Sequence, residues 1–195
     1  MPTVTALRED RRGRVAVELD GAPWRVLPVD VVARAALSEG RPLDRETLRV
    51  VRRELRRAEA LGVAGRALRV RDLSRRRLAE RLERASVAPA TAAESLATLE
   101  RAGLVDDQRV AHSRARALAE RGWGDDAIRH RMQAESLPPE AVDAAMLELE
   151  PELERARAVI RRRGAGPRTA RYVASRGFGE EAVEAALGAA FGQDT

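Results

Sequence analysis

An apolar pattern recurs three times along this chain, and it limits the possible folds more than any other feature. Take Val87, Leu137 and Phe178 as equivalent points. Nine residues before them stand Leu78, Ile128 and Thr169, and five before stand Leu82, Met132 and Val173. Five after stand Ala92, Val142 and Val183, nine after stand Leu96, Met146 and Leu187, and twelve after stand Leu99, Leu149 and Ala190. Thr169 alone departs from apolar character. Three- to five-residue spacings on either side of a break describe two helix faces, so the unit is helix, break, helix. Such a unit cannot bury its own apolar face, and stacked copies can.

Start and stop signals agree with this reading. Ser74 can cap a helix over 75–85 through its hydroxyl. Pro89, Pro138-Pro139 and Pro167 suit first helical turns, where a missing N–H costs nothing, and Gly179-Glu180-Glu181 opens the last helix. Each copy also has a leading helix, over 54–71, 107–121 and 151–163. The chain is therefore expected to be mainly α, with three tandem three-helix repeats in an elongated curved array over 44–105, 106–150 and 151–195.

Residues 1–43 read differently. Val15, Val17 and Leu19 alternate with Ala16 and Glu18, Asp20-Gly21 follows, and Trp24, Val26 and Leu27 come next. Asp-Gly between alternating runs predicts a β-hairpin, and Val4–Leu7 can add a strand. Val29, Val32, Ala33 and Ala36 then share a helix face, with Gly40 as a stop. Leu43-Asp44 opens a longer helix bearing Leu48, Val51, Leu55, Ala58 and Leu61, and Gly62 and Gly65 punctuate its end.

Composition removes most chemistry. Cysteine is absent and all 36 basic residues are arginine, which excludes thiolate nucleophiles, disulfides, Schiff-base lysines and a P-loop lysine. The histidines, His112 and His130, lack helical metal-pair spacing and read as solvated helix residues. Asp106-Asp107 and Asp125-Asp126 read as helix caps rather than acid–base pairs. Gly164-Ala-Gly166 lacks the flanks of a phosphate loop and reads as a turn. No catalytic residue, metal or cofactor is expected. No apolar run is long enough for a signal peptide or a membrane span, so a soluble, cytoplasmic protein is expected, and it is expected to be a monomer.

What remains is charge. The net +5 is distributed as 0 over residues 1–40, +8 over 41–85, −5 over 86–150 and +2 over 151–195. The densest basic stretches contain Arg52, Arg53, Arg56 and Arg57, then Arg75, Arg76, Arg77 and Arg81, and finally Arg161, Arg162 and Arg163. These are the candidate partner or nucleic-acid contacts, since guanidinium forks pair bidentately with carboxylate or phosphate. The alternative is a solvated face laced with glutamates. Trp123 and Tyr172 either stack bases or anchor packing.

Several stretches resemble the RecX family. Arg71-Asp-Leu-Ser74-Arg-Arg-Arg-Leu78-Ala-Glu-Arg-Leu82 is similar to its first-repeat signature. Leu99-Glu-Arg-Ala-Gly103-Leu104-Val105-Asp106-Asp107-Gln-Arg-Val110-Ala111 resembles its Gly, apolar pair, Asp-Asp stretch, and Arg121-Gly-Trp123-Gly124 and Arg176-Gly177-Phe178 resemble later turns. Arg77 and Val110 depart from the family, which often has an acidic residue and an aromatic there. The resemblance implies a non-enzymatic regulator that binds RecA filaments, inhibits the recombinase in recombination and repair, and contacts single-stranded DNA. The alternative reading is an Arg-rich helical DNA-binding protein acting without RecA.

Overall fold

The computed structural model describes residues 1–191. They form two compact units, one of Met1–Arg71 with Leu78–Arg101, the other of Asp72–Arg77 with the chain from Ala102 onward.

The first unit begins with an antiparallel sheet in the order β1 (Val4–Glu9), β2 (Arg14–Leu19), β3 (Ala22–Pro28). Asp20 and Gly21 make the β2–β3 turn with φ of 50° and 81°. That left-handed pair gives a two-residue turn a twist matching its strands, and Leu19 faces Ala22 across it. Alternation puts Val15, Val17 and Leu27 on one buried face with Val4, against Val31 and Val32 of α1 (Val29–Arg34) and Leu37, Leu43 and Val51. Three short strands need such a layer to be stable, and α2 (Arg45–Leu68) completes it.

Asp44 caps α2. The Thr47 N–H donates to its Oδ1 at 2.6 Å, and that bond holds the Asp44 carboxyl below its ordinary pKa. The glycines do not act as the sequence suggests. One helix runs through Gly62 and Gly65 to Leu68, in place of a stop there or a separate helix over 54–71. An interior glycine costs about 1 kcal/mol of helix propensity. The buried row Ala60, Ala64 and Ala67 offsets that by continuing the apolar face past both positions.

Helices α3 (Arg75–Arg84) and α4 (Pro89–Arg101) complete the first triplet. The second comprises α5 (Asp107–Glu120), α6 (Asp125–Ala134) and α7 (Pro139–Leu147). The third comprises α8 (Glu152–Arg163), α9 (Pro167–Ser175) and α10 (Glu180–Phe191). In the second and third, every helix packs on both others. The matched rows lie inside. Leu78, Leu82, Leu96 and Leu99, then Ile128, Met132, Leu137, Val142 and Met146, then Thr169, Val173, Phe178 and Val183 are all buried. Val87, Ala92, Leu149 and Leu187 are half-buried, and the Ala190 side chain lies outside what is described. No helix among the described residues is long and apolar enough to cross a membrane.

The break in each repeat is one motif built three times. Ser86, Ser136 and Gly177 have φ of 58°, 58° and 74°. Their N–H groups donate to Glu83 O, Gln133 O and Ala174 O, and the N–H groups of Val87, Leu137 and Phe178 donate to Leu82 O, Met132 O and Val173 O. This closes the helix ends left open after the last turn, with the following apolar residue folded back onto the helix. Serine has no special tolerance of left-handed backbone, a conformation costing about 1–2 kcal/mol for a residue with a Cβ. Ser86→Gly and Ser136→Gly are therefore expected to stabilise their units by about 0.5–1 kcal/mol each after glycine's greater chain entropy is counted. Urea denaturation of the two single variants checks this.

Candidate partner-binding surface

The candidate arginines have different fates. In the first unit, Arg52 and Arg56 are exposed one helical turn apart on α2, and Arg81 is exposed on α3. Arg53 pairs with Glu54 at 3.0 Å. Arg57, at 16 % side-chain exposure, reaches Glu94 at 3.3 Å and Thr98 Oγ1 at 3.1 Å on α4. Its guanidinium ties two helices together and is not offered to a partner.

In the second unit, Arg75 and Arg76 are exposed beside a cavity of about 570 Å³ also lined by Asp107, Gln133 and Pro138. Arg77 is half-buried and donates to the Ala134 carbonyl. Ser74 caps α3 as expected, accepting from the Arg77 N–H at 3.3 Å, and its hydroxyl also donates to Glu135 O at 2.9 Å. Arg161, Arg162 and Arg163 are exposed at the end of α8. Arg161 and Arg162 border a different groove, about 550 Å³, with Arg116, Glu120, Glu148 and Glu150.

Two expectations about capping and histidine need correction. Asp106 does cap α5, accepting from the Arg109 N–H at 3.0 Å. Asp125 does not cap α6, whose N-cap is Gly124. Its carboxylate pairs instead with Arg155, which is 7 % exposed and also donates to Glu150 O and Trp123 O, both at 2.9 Å. Burial of that guanidinium makes the nearby acid more useful as its partner than as a cap. His130 is exposed, but His112 is half-buried. Its Nδ1 lies 2.7 Å from Gln108 O and its Nε2 3.1 Å from Glu148.

Two turns of this unit that are distant in sequence meet in the fold. Gly124 and Gly177 meet backbone to backbone. The Gly124 N–H donates to Arg176 O at 2.9 Å, and the Asp126 N–H donates to Gly177 O at 3.2 Å. That contact sets Trp123 beside Arg176, whose guanidinium lies 4.2 Å from the indole centroid. Arg131 lies over the same ring at 3.8 Å. Arg176 also stands 5.0 Å from the Tyr172 ring, and Arg163 covers that ring at 3.8 Å. The result is a connected series, Arg131–Trp123–Arg176–Tyr172–Arg163, of three cations and two rings. Each contact stabilises by about 0.5–2 kcal/mol. Trp123 and Tyr172 are half-buried and pack against the cores of their triplets, as anchors do, and guanidinium groups lie over both rings. Arg176 stands four residues after Tyr172, a visible helix pairing, but Trp123 and Arg176 are too far apart in sequence to be linked without the fold.

No family model and no curated protein matches this sequence. Solved structures do match. One is a crystal structure of regulatory protein RecX, with TM-score 0.79 and 19 % identity over 94 % of this chain and 98 % of that one. Another is RecX from Lactobacillus salivarius, with TM-score 0.60 and 12 % identity over 68 % of this chain and 94 % of that one. At such identities the likeness is one of fold: a mainly helical chain with a small N-terminal antiparallel sheet, built as the RecX structures are.

Proposed function

We propose that this chain, having the RecX fold, is a non-enzymatic regulator that binds filaments of the RecA recombinase and restrains them in recombination and DNA repair. One observation carries the reading: the fold likeness to regulatory protein RecX extends over 94 % of the chain. The sequence stretches that resemble the family add support because they fall at structural joints. Ser74 caps α3, Asp106 caps α5, and Gly124 meets Gly177. On this reading the working modules are 1–43, 44–105, 106–150 and 151–195, acting in a cytoplasmic monomer. The exposed members of the arginine set, Arg52, Arg56, Arg81, Arg161 and Arg162 foremost, meet acidic surface on the filament.

The test is RecA's ATPase on single-stranded DNA. Adding a several-fold molar excess of this protein is expected to lower the steady-state rate, and Arg52→Glu with Arg56→Glu is expected to weaken that effect about tenfold or more in half-maximal concentration, as paired charge reversals at an electrostatic interface do. An unchanged ATPase rate at excess wild-type protein overturns the proposal.

A second reading, a nucleic-acid-binding protein acting without RecA, is favoured by the arginine and aromatic series on the second unit. Phosphate-dominated binding falls steeply between about 50 and 200 mM salt, which separates the two readings.

A further inference from the structure

We infer that the Arg131–Trp123–Arg176–Tyr172–Arg163 series is a binding site for the phosphate backbone of single-stranded nucleic acid. The inference deepens the nucleic-acid reading above by assigning its site, and it does not require RecA.

Charge is the first argument. Among the described residues, none of Arg131, Arg163 or Arg176 pairs with a carboxylate, although the chain from 86 to 150 is acidic overall. Elsewhere this protein neutralises guanidinium groups readily, as with Arg57–Glu94, Arg114–Glu135, Arg129–Asp143 and Arg155–Asp125. Three neighbouring cations left without acids attract an anion.

Geometry is the second argument. Each guanidinium carbon stands 3.8–5.0 Å from a ring centroid, and among the described residues no carboxylate takes up its N–H groups. Phosphate is met through the N–H edge of such a fork, bidentately. The ring contacts also fix side chains that would otherwise lose about 2 kcal/mol of rotamer entropy on binding. Three forks are thereby held near one another in advance through two shared rings, which suits successive phosphates of a flexible strand. Arg131 and Arg163 are the exposed ends, and the outer face of an arginine plane can also take an unstacked base.

Continuity is the third argument. Arg163 also borders a recess of about 500 Å³ containing Arg168 and Arg171, again without an acidic residue in its lining. The basic track therefore continues past the series. An acidic protein surface would also fit the charge, but five arginines with no acid among the contacts and lining that hold them suit the repeated single-sign charge of a phosphate strand better.

The experiment uses the full chain and a fluorescein-labelled oligothymidylate of about 30 nucleotides, with no RecA present. Binding followed by anisotropy is expected at 50 mM salt. Arg131→Gln with Arg163→Gln should weaken it about tenfold or more and reduce the slope of log K against log salt by about 1.4, at roughly 0.7 for each lost phosphate contact. Arg131→Lys with Arg163→Lys should retain the wild-type slope while losing affinity, because charge survives and the flat fork does not. Absence of wild-type binding at 50 mM salt overturns the inference. So does a Gln variant with wild-type affinity and slope, including one that loses only its effect on RecA, which would make the series a protein contact. Because no RecA is present, this test and the ATPase test can fail separately.

Discussion

Gly124→Ala will destabilise the second unit by about 3–5 kcal/mol, an unusually large effect for one added methyl group. A Cβ at residue 124 would lie 2.2 Å from both Gly177 O and Phe178 N, and 2.3 Å from Gly177 C. All three are backbone atoms and no rotamer change can relieve them. Separation of the two segments breaks the bonds from the Gly124 and Asp126 N–H groups, worth about 1 kcal/mol each, and forces the packing apart for a further 1–3 kcal/mol or so. Gly177→Ala meets the same joint from the other side, with its Cβ 2.6 Å from Ala127 Cβ and a φ of +74°. Gly65→Ala is the control of opposite sign. Its site lies inside α2, and beyond the adjoining backbone of that helix no atom lies within 4 Å of the new methyl, so alanine should stabilise the helix by about 0.5–1 kcal/mol. Urea denaturation measures all three. Trp24 reports on the first unit and Trp123 on the second, so fluorescence in single-tryptophan backgrounds assigns each loss to its unit. A Gly124→Ala protein within 1 kcal/mol of wild type would mean that the backbone contact is not tight in solution.

Arg155→Ala will cost about 3 kcal/mol or more, felt in the same unit. Removing one partner of a buried charge pair usually costs 3–5 kcal/mol or so. The lower end applies because the Asp125 side chain is 36 % exposed and can regain water. The loss is not of the ion pair alone. Arg155 also satisfies Glu150 O and Trp123 O, and so ties α8 to the turn before α6. Glu152 works beside it, accepting from the Asp125 N–H at 2.6 Å and from the Gly179 N–H at 3.3 Å. Arg155→Lys should recover only part of the loss, since an ammonium cannot hold three separated acceptors in a fork. Thermal and urea melts of the alanine and lysine variants check the ranking. Equal stabilities for Arg155→Lys and wild type would show that charge alone suffices.

Much of the fold was legible because it depends on local rules. Leu78 and Leu82, Ile128 and Met132, and Thr169 and Val173 are matched pairs along one helix face, and burial follows the match even at the polar Thr169. Asp20-Gly21 marked its turn through the left-handed backbone that the pair adopts readily. The left-handed Ser86 and Ser136 were not legible, because serine carries no preference for that conformation and only alignment with Gly177 reveals the shared joint. Gly62 and Gly65 misled for the complementary reason: a weak local penalty lost to burial of the alanine row around them. Among the candidate arginines, clustering was visible and accessibility was not. Arg57 and Arg77 are turned inward by acceptors on other helices, while Arg131 and Arg176, outside every basic run, carry the stacked series.

Repeat number, helix faces and most helix ends were determined by the chain itself, since they follow from 3.6-residue geometry and capping within a few positions of each residue. The pairing of Arg155 with Asp125 and of Arg176 with Trp123 was decided only in the tertiary structure. Those partners meet because two glycines without Cβ atoms let one helical packet approach another, and contacts so distant in sequence leave no periodic trace.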